Sequence, residues 1–358
     1  MRSTPLPSKR KGPSTCAGGP IYRLRFSLSR LLFILAALLA APCQVAVAAE
    51  AIPIFEASGV ARQGDALLLV DDGVNGAYLR FALQGEHGPE IGLDPSRIER
   101  IPLPHGYIAT DLEGIDILAD GRVVVLSERL RSLFCADGIV AEYDAPLSEF
   151  GKRGLEGVAV RSLPDQSSQV AVLWEGGYPE YQHVPEQLRA QVGRKAMSPL
   201  IQIHYLRPGE SGVLVRGGGL LRLEVPIPSG REPAAQRFRA PDLVWHQHRN
   251  NRWGFIVLLS SQDSTDHPTY MYHWLQRFSA DGKRIGEPLD LDRIMPPELK
   301  GVNWEGLGWF EEGQSLVLVY ESQRQPKTVA YVLSLPDAWR FQPAVKARAP
   351  HDPSQLER

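Results

Sequence analysis

A Glu-Gly pair at the start of an apolar strand recurs at Glu113-Gly114, Glu156-Gly157 and Glu305-Gly306, and Asp242 begins a weaker copy of the same unit. Carboxylates that a fold brings together repel one another, so their joint ionisation is costly unless a cation lies among them. A flexible set of six or more oxygen ligands suits Ca²⁺. We therefore expect these four acids to be ligands of a metal ion, with Ca²⁺ as the expected cofactor. The alternative is structural, with each Glu accepting hydrogen bonds from nearby backbone N–H groups.

A second set of acids follows apolar runs of sequence. Its members are Asp71 or Asp72, Glu128, Glu175 and Glu321. A carboxylate beside a bound ester can transfer a proton in the reaction, so Glu128 and Glu175 are our candidate catalytic general bases. The alternative is that these positions are solvated ends of strands.

A third pattern is His246-Gln-His248, whose His-x-His spacing places both rings on one face of a strand. Such a pair could bind a metal ion. The residues that follow, 249–252, have the composition of a turn, and we therefore expect an exposed hairpin here.

The acids recur because the chain itself repeats. Each unit has an acid or Ser, usually a Gly, an apolar strand, a turn, a second apolar strand and a further acid, and strands with aromatic residues follow. Four antiparallel strands of this kind form the blade of a β-propeller. Continuous apolar runs such as 67–70 and 123–126 are typical of strands covered on both faces. We predict an all-β propeller, with a β-sandwich as the competing fold.

The units start at Ser58, Glu113, Glu156, Asp242 and Glu305. Their spacings are 55, 43, 86 and 63 residues. The longest gap is twice the shortest and could hide a divergent blade with strands near 200–205 and 220–225, so six blades are favoured and five remain possible. Because the first strand of every blade lines the central channel, a propeller would turn the periodic acids into a ring.

The N-terminal segment is typical of a secretory signal. Residues 1–30 contain seven basic residues and no acid, an apolar run spans 31–41, and small residues at 46 and 48 precede Ala49. We predict a signal peptide at 1–48, a propeller domain at 49–337 and a C-terminal tail at 338–358. The protein would then be periplasmic or secreted. A retained membrane anchor over 31–49 is the alternative.

Charge and cysteine content limit the partners. Without the seven basic residues of the signal, 32 basic residues face 41 acidic ones, a net charge near −9. This balance disfavours nucleic acid and anionic membranes. Cys135 is the one cysteine beyond the signal, so no intramolecular disulfide is possible. We expect a monomer that binds a small molecule or an envelope ligand, with no nucleic acid and no stable membrane insertion after cleavage.

The segment from Asp111 to Arg129, with Ser58-Gly59 and the Glu-Gly pairs, resembles a group of secreted propellers over residues 52–335. The group includes the SdiA-regulated family and the phytase-like (esterase-like activity of phytase) family. Lactonase-type propellers are similar in placing a metal-binding Glu before a Gly. The resemblance implies a Ca²⁺-dependent hydrolase of phosphate or carboxylic esters or lactones that acts at the central channel. The alternative is a non-catalytic propeller that binds a glycan, a peptide or an envelope protein.

Overall fold

The structure is a computed structural model. It describes residues 56–85, 87–103, 111–135, 138–142, 154–176, 198–207, 215–216, 221–224, 236–248, 251–263, 271–321 and 329–341. The predicted signal peptide, residues 177–197 and the tail beyond residue 341 lie outside these ranges, so the assignments of the signal peptide and of this tail stay predictions.

The described residues form five antiparallel sheets, and each sheet is one blade. The first blade contains β1 (Ala57–Gln63), β2 (Ala66–Asp71), β3 (Ala77–Ala82) and β5 (Ile98–Pro102). The second contains β6 (Leu112–Ile117), β7 (Val123–Ser127), β8 (Ser132–Cys135) and β9 (Gly138–Glu142). The third contains β10 (Leu155–Ser162), β11 (Ser168–Trp174), β12 (Leu200–Leu206), β13 (Val215–Arg216) and β14 (Leu221–Arg222).

The last two blades follow the same order. The fourth contains β15 (Gln236–Gln247), β16 (Trp253–Asp263), β17 (Met271–Ser279) and β18 (Arg284–Asp290). The fifth contains β19 (Asn303–Glu311), β20 (Ser315–Glu321), β21 (Val329–Ser334) and, as its outermost strand, β4 (Glu90–Gly92). The first and last blades are therefore joined, because β4 lies in the chain between two strands of the first blade and pairs with β21.

Five blades close the ring in the part of the chain that the structure describes. Each innermost strand contacts the next, in the order β1, β6, β10, β15, β19, and β19 returns to β1. The all-β propeller expected from the repeat is confirmed, with five blades. The favoured count of six was wrong, because the strand predicted near 200–205 is β12, the third strand of the third blade. The long gap between repeat starts therefore belongs to one blade.

Burial explains why these strands form. β2 is buried along its whole length, as is β11, which is the pattern of strands packed on both faces. Five clusters of buried apolar side chains fill the five gaps between neighbouring blades. The core of the protein is thus divided into five layers that radiate from the channel, and each blade is held by its two neighbours.

Helical structure is minor in the described residues. The α-helix α1 spans Leu291–Ile294, and short 3-10 helices span Pro95–Arg97 and Pro297–Leu299. None of the helices in the described ranges has the length and apolar character needed to cross a membrane. Past the predicted domain end, Trp339 and Phe341 are still buried, at 6% and 8% exposure.

Candidate functional site

The recurring Glu residues lie at β-bulges in the innermost strands. Cross-strand pairing skips one residue in each of four blades: Ser58, Glu113, Glu156 and Glu305. A bulge leaves one residue unpaired and redirects its side chain, and bulges are frequent beside functional sites. The same local irregularity therefore aims one polar side chain per blade from the start of each innermost strand.

The Gly after each bulge is needed because the innermost strands approach one another closely. A Cβ on Gly114 would lie 2.8 Å from the backbone nitrogen of Val158 in the next blade. A Cβ on Gly306 would lie 2.9 Å from the Cα of Gly59 across the closure of the ring. The Glu-Gly pair thus combines an aimed carboxylate with the one residue type that fits the contact.

The fourth blade departs from this pattern. Its pairing irregularity falls between Arg239 and Asp242, so Pro241 stands where three other blades have Glu. Asp242 takes the position of the glycine, and its oxygens accept hydrogen bonds from the backbone N–H groups of Leu243 (2.8 Å) and Leu307 (2.7 Å). Asp242 therefore links the innermost strands of blades four and five. The metal ligand predicted at this position stays a prediction, and the set proposed below is built without it.

Acids from the second strands join the bulge residues. In an antiparallel pair the end of the second strand lies beside the start of the first, so Asp72, Glu128 and Glu175 reach the same end of the ring. Backbone bonds fix the arrangement: Glu128 N–H donates to Asp111 O (2.9 Å) and Glu175 N–H donates to Gly154 O (3.1 Å). We name this end of the channel the acidic end. It comprises Asp72, Asp111, Glu113, Glu128, Glu156, Glu175 and Glu305.

Crowding of carboxylates raises the pKa values at the acidic end. Burial raises the pKa of Glu113 well above its ordinary value, and the charges of Asp72 and Glu128 raise it further. Burial and the charge of Glu175 act in the same way on the pKa of Glu156. Burial raises the pKa of Glu128 to about 8, with help from the charge of Asp111. The raised pKa values favour the protonated carboxyls, and a bound cation would favour the ionised ones.

Asp72 belongs to the same set, although a hydroxyl partly offsets its shift. Burial raises the pKa of Asp72 to about 7, while the Oγ of Ser58, which donates to Asp72 Oδ1 at 2.7 Å, lowers it. Its neighbour Asp71 has a different role, because its oxygens accept from the backbone N–H groups of Glu56 (3.0 Å) and Gly73 (2.9 Å). Of the two alternatives left by the sequence, Asp72 is thus the one that takes part in the acidic end.

One half of the acidic end carries three convergent carboxylates. An oxygen of Asp72, an oxygen of Asp111 and an oxygen of Glu113 all lie within 4.8 Å of one another. Within the described ranges, none of these three acids forms an ion pair with a basic side chain, and neither does Glu128. This half, between blades one and two, therefore concentrates negative charge without a counter-ion among the described side chains.

The other half is neutralised by Arg239. Its guanidinium lies 3.6 Å from Glu175 Oε1, pairs with Glu305, and donates to Asn303 Oδ1 at 3.0 Å. Burial lowers the pKa of Arg239, but the charges of Glu305, Glu175 and Glu156 outweigh burial and raise the pKa above its ordinary value. Arg239 is thus a permanent cation between blades three and five.

The structure brings together five of the six site residues predicted from the sequence. These five are Glu113, Glu156, Glu305, Glu128 and Glu175, which are linked through the charges of the acidic end. The sixth, Asp242, is held by backbone N–H groups, and burial, with a smaller contribution from the charge of Glu305, raises its pKa. Glu321, the fourth acid of the second set, is the last residue of β20, and its side chain is outside the part of the chain that the structure describes.

Two residues of the acidic end were missed by the sequence reasoning. Asp111 adopts a left-handed backbone conformation with φ of 62°, which Asp tolerates better than most residues. Its position directly before Leu112-Glu113 was the available signal. For Arg239 the signal was a repeat unit without Glu that carries a cation two residues before Pro241.

The His-x-His pair lies at the opposite end of β15, beside the hairpin that joins β15 to β16. The expected hairpin is confirmed, because Gln247 pairs with Trp253, but the expected exposure of the two His residues was wrong. His246 is 1% exposed and His248 is 7% exposed, with ring centroids 4.8 Å apart. Both rings are covered because Trp309 and Phe341 pack against His246. Burial lowers the pKa of His246 to about 3, and it also lowers the pKa of His248. Both imidazoles are therefore neutral at physiological pH.

The chain is similar in fold to several solved β-propellers. Virginiamycin B lyase from Staphylococcus aureus matches at 8% identity with a TM-score of 0.36, over 79% of this chain and 98% of that one. YjhT matches at 11% identity and 0.31, over 75% and 72%. A PQQ-bound aldose sugar dehydrogenase from Streptomyces coelicolor matches at 12% and 0.24, over 63% and 94%. No protein-family model and no curated protein matches this chain. The fold assignment rests on the strand order, and no activity is inferred from these neighbours.

Proposed function

We propose that the acidic end binds one divalent cation, with Ca²⁺ as the expected ion, between the first and second blades. The observation that carries this proposal is the convergence of Asp72, Asp111 and Glu113, whose oxygens lie within 4.8 Å of one another. Ca²⁺ takes oxygen ligands at about 2.3–2.6 Å, so ligands on opposite sides of the ion are about 5 Å apart. The three carboxylates therefore fit around one ion, and Glu128 lies close enough to complete the set or to act beside it.

We further propose that the site hydrolyses a phosphate or carboxylic ester, the activity class of the phytase-like and lactonase-type propellers that the sequence motifs resemble. A bound Ca²⁺ would supply Lewis-acid polarisation of a phosphoryl or carbonyl oxygen. Burial raises the pKa of Glu128 to about 8 in the metal-free protein, and a cation bound beside it would lower that pKa, so Glu128 suits the general base predicted from the sequence. The N–H of Gly154 bonds to this carboxyl and orients it. Glu175 remains the second candidate for proton transfer.

Export would suit this function. The basic and apolar N-terminal segment predicts a periplasmic or secreted protein. We therefore propose that the site meets its cation and its substrate outside the cytoplasm, as a small molecule or an envelope ligand.

Calcium titration followed by thermal unfolding tests the cation site. We expect Ca²⁺ to raise the melting temperature of the wild-type protein and to have no effect on Glu113→Gln. Glu311→Gln is the matched control, because Glu311 is exposed at the far end of β19. Absence of any Ca²⁺ effect on the wild type would overturn the cation proposal.

Hydrolysis is tested separately with a panel of phosphomonoesters and lactones. Turnover that depends on Ca²⁺ and is lost in Glu128→Gln would support the hydrolase, with the same Glu311→Gln control. Ca²⁺ binding without turnover of any member of the panel would overturn the hydrolase and favour the non-catalytic propeller.

A further inference from the structure

We infer that Arg239 is a resident cation that takes the place of a second metal ion and limits the acidic end to one divalent cation. This inference rests on the proposed function, because it concerns the same end of the channel. It assigns Arg239 the role of a specificity-determining residue, one that sets how many ions the site holds and where the ion lies.

The contacts of Arg239 resemble those of a bound ion. The guanidinium reaches acids from two different blades, Glu175 of the third and Glu305 of the fifth, and also the amide oxygen of Asn303. Oxygen atoms from several elements that converge on one positive group are the arrangement that holds a hard cation. Here the positive group is part of the chain, and unlike a metal ion it cannot dissociate.

Blade four is built differently from the others at all three positions that face the acidic end. At the bulge it has Pro241 where blades two, three and five have Glu. Beside the end of its second strand it has Ser260, where the first three blades have Asp72, Glu128 and Glu175. Two residues before the bulge it has Arg239, where blade two has Asp111. The blade that provides no acid thus provides the one cation that the described side chains place at this end.

The two halves of the acidic end are consequently unequal. Glu175 and Glu305 face a guanidinium that stays charged at any relevant pH, so they are compensated without metal. Asp72, Asp111 and Glu113 converge within 4.8 Å of one another and, in the described ranges, have no such partner. A divalent cation therefore gains more from the half between blades one and two, and the ion is expected off the channel axis, away from blade four.

Removal of the charge on Arg239 should open the second position. In Arg239→Met the side chain keeps a similar length and loses its charge, which removes the guanidinium from Glu175 and Glu305. We expect the number of bound Ca²⁺ ions per chain, measured by equilibrium dialysis of the full-length protein, to rise twofold from one to two. Arg239→Lys is the conservative control and should bind one.

The count also separates failure of this inference from failure of the cation site. Zero ions on the wild-type protein would overturn the proposed function. One ion on the wild type with one ion on a folded Arg239→Met would refute the role of Arg239 and leave the cation site intact. Two ions on the wild type would refute the limit directly.

A second variant keeps the inference testable if Arg239→Met does not fold. Glu113→Gln removes the uncompensated half and retains Arg239, so it should bind no Ca²⁺. If Glu113→Gln still binds one ion, the half that Arg239 neutralises accepts metal despite the guanidinium, and the inference is wrong.

Discussion

Replacement of Glu113 by Gln should stabilise the metal-free protein at neutral pH while it abolishes the response to Ca²⁺. Gln has the shape of a protonated Glu, and burial with the charges of Asp72 and Glu128 raises the pKa of Glu113, which favours the protonated form in the folded protein. In the unfolded chain the same carboxyl ionises with its ordinary pKa of 4.5. Folding must therefore take up a proton above this pH, and the stability of the wild type falls as pH rises from 4.5.

The magnitude has an upper bound from linkage and a matching figure from Coulomb repulsion, one of the causes of the pKa shift. Proton uptake by one carboxyl costs about 1.4 kcal/mol for each pH unit above its unfolded pKa, so the cost at pH 7 is at most about 3 kcal/mol. Repulsion between two carboxylates at the 4.8 Å limit of this cluster also amounts to about 3 kcal/mol with an effective dielectric constant near 20. Solvent contact at Asp72 and Asp111 reduces both figures. We therefore expect a gain of about 1–3 kcal/mol at pH 7 and none at pH 4.5.

Urea unfolding at these two pH values, in chelator and in excess Ca²⁺, measures the effect. At a Ca²⁺ concentration about 100 times the dissociation constant the wild type should gain about 2.7 kcal/mol and Glu113→Gln nothing. Glu311→Gln, an exposed Glu on β19, should behave as the wild type in every condition. Equal destabilisation of Glu113→Gln at both pH values would show that the side chain is an ordinary structural hydrogen-bond acceptor, and the electrostatic reasoning would be refuted.

Three further predictions concern other parts of the molecule. Gly154→Ala would place a Cβ 2.5 Å from Glu128 Cγ, so it should displace that carboxyl and lower the melting temperature. Gly88→Ala is the control, because no atom lies within 4 Å of its Cβ, and equal melting temperatures of the two variants would contradict the close contact. Burial lowers the pKa of His246 to about 3, so below about pH 6.5 the imidazole is protonated in the unfolded chain before it is protonated in the fold. This difference should lower the free energy of unfolding by about 3 kcal/mol at pH 4, and acid unfolding curves of His246→Phe should show a smaller loss. Asp242→Asn should lower the free energy of unfolding in urea by about 1–3 kcal/mol, because an amide N–H₂ would face a backbone N–H. The variant should keep the Ca²⁺ response, and loss of that response would instead support the predicted metal ligand.

The sequence predicted the propeller and most of the acidic end because both depend on local repetition. Apolar strands, turns and Glu-Gly pairs are short patterns, and a closed ring converts their period into proximity. The number of blades was harder to predict, since β12 follows its partner β11 only after a long insertion and therefore resembled the start of a new unit. Blade number depends on which strands pair, and this pairing joins residues distant in the chain.

The function of individual acids depended on contacts that periodicity does not contain. Asp242 was aligned with the Glu residues, but the register of β15 with β16 places it at the glycine position, where its carboxylate accepts hydrogen bonds from backbone N–H groups. Arg239 lies outside the repeating motif, and only its reach toward Glu175 and Glu305 shows its role. The burial of His246 similarly depends on Trp309 and Phe341, which come from later parts of the chain.

The outermost strand of the fifth blade has a consequence for the order of assembly. Gly92 pairs with Val329, so the seam of the molecule joins a segment made early in synthesis to one made late. Such distant pairing is slow to form, and until then a nascent chain carries an unpaired strand edge. Once the seam is formed, the last blade cannot peel away from the C-terminal side without breaking a bond to the first. Premature termination before residue 329 should therefore yield aggregation-prone chains rather than a shorter ring.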